Sequence, residues 1–165
     1  MTPNESTASR RLKVNVRILP EYARDVEPAE LQRAARAAFK SAGAQSGGAL
    51  TVLVTDDAQV RELNRAYRRV DAATDVLAFG EVGEGNGFIS PPEGSKYWGD
   101  IVISCPRATE QAAADGHPLQ EELSLLVVHG ALHLMGYDHE QADDKEKMWT
   151  AQHAALVQLG IAWLP

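Results

Sequence analysis

The feature that most constrains this chain is the stretch 119–135. There Leu123, Leu126, Val127, Val128, Ala131, Leu132, Leu134 and Met135 occupy nearly every side of a helix. A helix that is apolar all round has no face to give to water, so it is expected at the centre of the fold with other elements packed around it. Gly136 is expected to end it.

What surrounds that helix follows from hydrophobic periodicity. Leu12, Val14, Val16 and Ile18 alternate with polar residues, the period-two signature of a strand buried on one face. Residues 28–42 switch to helical spacing, with Leu31, Ala34, Ala35, Ala38 and Phe39 on one stripe. Residues 49–55 (ALTVLVT) form a short β-branched run that reads as a buried strand. A helix from Asp56 or Asp57 to about Arg69 should turn Val60, Leu63 and Tyr67 toward the core. Strands at 74–79 (TDVLAF) and 100–104 (DIVIS) flank a Gly/Pro/Ser-containing loop at 80–97. Helices at 106–115, 119–135 and 143–159 complete the order. The expected fold is a single α+β domain, a small, mostly four-stranded sheet packed with about five helices.

A chain of 165 residues with 44% hydrophobic content fills one such domain. Residues 1–11 are polar at their start and lack the apolar core of a secretion signal, so they are expected to be a flexible extension of a domain spanning 12–165. No run approaches the roughly 18 apolar residues of a membrane span, and a soluble protein without a membrane partner is expected. Cys105 is the single cysteine, which excludes an intramolecular disulfide and suits a reducing, cytoplasmic compartment. A net charge of −7 argues against a non-specific nucleic-acid binder. Against that total, Arg61, Arg65, Arg68 and Arg69 form a local basic cluster.

Chemistry concentrates at 129–139, HGALHLMGYDH. His129 and His133 are four apart, so their imidazoles leave the helix from one face, one turn apart. Gly136 lets the chain exit in a left-handed conformation and fold back, which brings His139 within reach of the same ion. Three neutral imidazoles leave a fourth tetrahedral position open, the arrangement of a catalytic zinc site, and one zinc ion per chain is expected. Three unrelated histidines on a core helix and its exit loop are the bland alternative. His117, in a Gly-His-Pro turn, and His153 carry no pattern and are expected to be ordinary surface or packing residues.

Metzincin proteases share the spacing H-x-x-x-H-x-x-G-x-x-H, which makes a zincin-type peptidase the obvious rival. Those enzymes place a glutamate base directly after the first histidine, and here that position is Gly130. Asp138 and Glu140 flank the last histidine and are expected to support the site from outside or to face solvent.

Three segments together, 63–79 (LNRAYRRVDAATDVLAF), 99–104 (GDIVIS) and 128–139 (VHGALHLMGYDH), closely resemble the YbeY family of ribosomal-RNA maturation endoribonucleases. The resemblance extends over nearly the whole chain beyond residue 12. It implies a zinc-dependent endoribonuclease directed at single-stranded RNA, acting in maturation of the 16S ribosomal RNA 3′ end and in ribosome quality control. The small ribosomal subunit and its assembly factors would then be partners. It maps the family's metal ligands onto His129, His133 and His139, and a functional arginine onto Arg68.

On their helix Arg61, Arg65 and Arg68 recur at i, i+4 and i+7, a stripe whose plainest explanation is a solvated face. With the resemblance, Arg68 becomes the expected catalytic arginine and phosphate holder. Arg61 and Arg65 become candidate contacts to the RNA backbone. A ribosome assembly factor with a structural metal is the third reading.

Overall fold

Four strands form one sheet in the computed structural model, which describes residues 11–44, 47–80 and 96–163. They are β1 (Lys13–Ile18), β2 (Ala49–Thr55), β3 (Val76–Gly80) and β4 (Tyr97–Ser104), arranged β1-β2-β4-β3. β1, β2 and β4 run parallel, and β3 lies antiparallel beside β4 at the edge. Parallel neighbours need a crossover, supplied between β1 and β2 by α1 (Pro28–Ser41). Between β2 and β4 come α2 (Asp57–Arg68) and the edge strand. Three helices follow: α3 (Cys105–Asp115), α4 (Leu119–Leu134) and α5 (Ala142–Gln158). The α+β architecture with four strands and five helices is the one expected, with one additional 3-10 turn at Pro20–Tyr22.

Successive strand residues point to opposite faces, and here both faces are covered. Val52, Val54, Ile101 and Ile103 meet α1, α4 and α5 on one side. Leu53, Leu77 and Val102 meet Val60 and Leu63 of α2 on the other. That is why β2 is buried at every position and reads as a continuous apolar run. α4 occupies the centre of the main core, with Leu123, Val127, Val128, Ala131 and Leu132 fully buried. A Leu or Val so placed contributes about 1.5–3 kcal/mol relative to exposure.

Strand limits differ from the sequence reading. The edge strand begins two residues later, at Val76, whose amide donates to the Asp75 carboxylate. β4 begins three residues earlier, at Tyr97. The expected loop at 80–97 therefore loses both its ends to strands, and 81–95 lie outside the described residues, as do 1–10 of the expected extension. Among the described residues no helix is long and apolar enough to cross a membrane.

Tyr67 does not face the core. It is 52% exposed, and its ring lies beside Phe79 of the edge strand, 5.4 Å between centroids. The buried positions of α2 are Val60 and Asn64.

Candidate metal centre

The end of α4 explains how a loop histidine joins two helical ones. Gly136 adopts φ +95°, its amide donates to His133 O at 3.0 Å, and the Tyr137 amide donates to Leu132 O at 3.0 Å. These two bonds satisfy the helix's last carbonyls and reverse the chain, a conformation that favours glycine. The Asp138 carboxylate then accepts from the His139 amide at 2.7 Å, holding the turn that carries the third imidazole.

The three imidazoles converge. Each offers one nitrogen, and all three nitrogens lie within 4.8 Å of one another. His129 Nε2 and His133 Nε2 are 3.1 Å apart. Two nitrogens on a tetrahedral zinc with bonds of 2.0–2.1 Å are separated by about 3.4 Å, so small rotations fit this donor set to one ion. From α5, Gln152 Oε1 accepts from His129 Nδ1–H at 3.1 Å, which fixes the tautomer and turns the Nε2 lone pair toward His133. Burial holds the pKa of both His129 and His133 below the ordinary imidazole value. The neighbouring histidines push each of them in the same direction. Both effects favour the neutral, ligating form. Such a group can hold a divalent metal ion.

Gly130, between the first two histidines, packs directly against β4. A Cβ there would lie 2.8 Å from Ile101 Cγ2 on β4. The position that carries a protease's glutamate base is thus pressed against the sheet. Gly130→Ala is expected to destabilise the fold by about 1–3 kcal/mol through overpacking, as measured by denaturant unfolding. Gly130→Glu is expected to cost more and to yield no proteolysis of casein.

The arginine stripe divides into three different environments. Arg61 makes a two-pronged ion pair with Asp71, 2.8 and 3.2 Å, and Arg65 is paired with Glu62. Arg68 instead reaches across to the edge strand, donating from Nη2 to Ala78 O at 3.0 Å, with its guanidinium 5.7 Å from the Phe79 ring centre. Its direction follows from the end of α2: Arg69 takes a left-handed conformation, φ +60°, and the chain turns back at once toward β3. Asn64 Nδ2 ties that return loop by donating to Ala72 O at 2.9 Å. Arg68 and all three histidines line one cavity of about 610 Å³, whereas Arg61 and Arg65 do not line it.

Several residues in and around the site escape a reading of the sequence. Asp75 stands at the head of β3, on the cavity wall, and accepts from Gln111 Nε2 at 3.4 Å. Gln152 is legible only as a polar residue within the buried stripe Met148, Ala151, Ala155 and Leu156 of α5. His117 takes the packing half of its expected reading: its side chain is enclosed, bonded through Nε2 to Glu122, and stacked on Trp163 at 3.7 Å. Asp138 and Glu140 are exposed at the cavity rim, as expected, and His153 is exposed.

Comparison with known proteins places this arrangement. A family model described as Endoribonuclease YbeY matches residues 21–160, which include all three histidines and Arg68. An endoribonuclease YbeY of Roseiflexus castenholzii is 42% identical over 150 residues, covering 90% of this chain and 94% of the relative. One from Moorella thermoacetica is 44% identical over 133 residues, covering 79% of this chain and 85% of the relative. The solution structure of a Thermotoga maritima protein is similar in fold, with a TM-score of 0.52 at 21% identity, covering 88% of this chain and 90% of that one. With a family model and close relatives both extending over most of its length, the chain belongs to the endoribonuclease YbeY family.

Proposed function

We propose that this protein is a zinc-dependent endoribonuclease that cuts single-stranded RNA, with His129, His133 and His139 holding one zinc ion and Arg68 holding the phosphate that reacts. The observation that carries this reading is the shared cavity: three converging imidazoles and one guanidinium on the same walls, in a chain of an endoribonuclease family. An all-imidazole donor set suits zinc better than magnesium or calcium, which prefer oxygen ligands.

Each residue has a distinct task. Neutral His129, His133 and His139 present lone pairs to the ion, and Gln152 keeps His129 in the right tautomer. When bound, the ion supplies Lewis-acid polarisation of the scissile phosphate. Arg68 is pinned by Ala78 O through one of its five N–H donors, and the others can meet phosphate oxygens as charge builds on them. Arg61 and Arg65, already paired with Asp71 and Glu62, serve at most as screened contacts along the RNA backbone.

We infer a cytoplasmic role in ribosomal-RNA maturation, including the 16S 3′ end, and in ribosome quality control, with the small subunit and its assembly factors as partners. A peptidase is disfavoured by the packing at Gly130. An assembly factor with a structural metal is the reading that loss of cleavage in Arg68→Ala at unchanged zinc content would set aside. The test is to offer the protein a single-stranded RNA, the same RNA in a perfect duplex, and casein. Cleavage of the single strand alone, abolished by a chelator, is expected. Chelator-sensitive cleavage of casein would transfer the protein to the rival class.

A further inference from the structure

The polar cavity that holds Arg68 has a neighbour of opposite character. A second cavity of about 380 Å³ opens between α4 and α5 and shares His129, His139, Asp75 and Val76 with the first. Its walls are mainly apolar, with Leu125, Met148 and Trp149 among them, while its own polar groups are Glu122, Lys145 and Gln152. Trp149 is 43% exposed, which is unusual for a large aromatic side chain on a helix whose buried stripe runs through Met148 and Ala151. Lys145, one turn earlier, sits with Nζ 6.0 Å from the indole centre.

A nucleotide has the same two halves, an anionic phosphate and a flat base with apolar faces and a polar edge. Resting on the RNA reading above, we propose that the cavity between α4 and α5 is a nucleobase subsite. In it the base next to the scissile phosphate stacks on Trp149 and turns its polar edge toward Gln152. Base-on-aromatic stacking is indifferent to sequence, since every base has a π-face, so the subsite recognises an unpaired base rather than a particular one. A paired base is held between its neighbours and cannot enter. This pocket therefore supplies a physical origin for single-strand preference. Lys145 at the rim adds a charge that favours the adjoining backbone.

The test uses wild type, Trp149→Ala and Trp149→Phe at equal zinc content, with a single-stranded RNA cut at one position. Two further substrates carry an abasic residue immediately 5′ or 3′ of that position. In wild type one of the two abasic substrates is expected to raise KM about tenfold to a hundredfold with a smaller change in kcat. Trp149→Ala should show that increase on the intact RNA and no further increase on the abasic substrate, and Trp149→Phe should restore most of the affinity. An unchanged KM in Trp149→Ala, or the same abasic penalty in Trp149→Ala as in wild type, overturns the subsite while leaving the nuclease reading intact. A wild-type protein that leaves the intact RNA uncut overturns both.

Discussion

His133→Ala is expected to abolish stoichiometric zinc binding and to lower RNA cleavage by at least about a hundredfold, the loss of several kcal/mol of metal-ion stabilisation. His133 is the middle of the three donors, 3.1 Å from His129 through facing Nε2 atoms and 5.3 Å from His139 between ring centres. Without it, two imidazoles remain, and two neutral ligands do not hold zinc at ordinary concentrations. The effect is separable from unfolding because His133 is only half-buried and lies at the last turn of α4. The melting temperature of the variant should therefore match that of chelated wild type. Zinc should raise the melting temperature of wild type alone, since an ion that binds only the folded state stabilises it.

Arg68→Ala is expected to lower single-turnover cleavage about a hundredfold at unchanged zinc content, the cost of removing one charged donor from a developing phosphate charge. Arg61→Ala and Arg65→Ala should each change the rate only a few-fold at most, mainly by weakening binding and flattening its salt dependence. The contrast rests on direction: Arg68 lines the cavity of the three histidines, while its two neighbours on the stripe are turned to Asp71 and Glu62 on the surface. Arg68→Lys should recover only part of the loss, because an ammonium cannot present paired donors to two phosphate oxygens. Rates for all four variants on one RNA check this, and equal small effects would return Arg68 to the solvated face.

The central helix and its exit were legible because their causes are local. An all-round apolar run too short to span a membrane reads as a buried helix, an i, i+4 pair of histidines on it shares a face, and a glycine after the last turn sets the reversal that brings up His139. The alternating and β-branched runs marked the strands for the same reason. What the sequence hid depends on elements meeting across the fold. Gln152 reaches His129 from a helix 23 residues away, and no spacing rule connects them. Tyr67 has the right period for a core residue, yet it lies at the sheet's edge beside Phe79 and is half exposed. The arginine stripe was uniform as a helical pattern, and only the return loop through Asp71 and the edge strand at Ala78 separates its members. His117 acquires its role through Trp163, beyond the end of the last helix. Gly130 was visible as a missing base, but the reason for the glycine, Ile101 beneath it, was not.

The most direct measurement is a zinc titration of chelated protein with cleavage of a single-stranded RNA as the readout, wild type beside His133→Ala. Activity in wild type is expected to rise from near zero and to level off at one zinc per chain, with no activity appearing in the variant over the same range. Full cleavage by the metal-free wild type, or equal zinc-dependent cleavage by His133→Ala, would contradict the assignment of the catalytic metal to His129, His133 and His139.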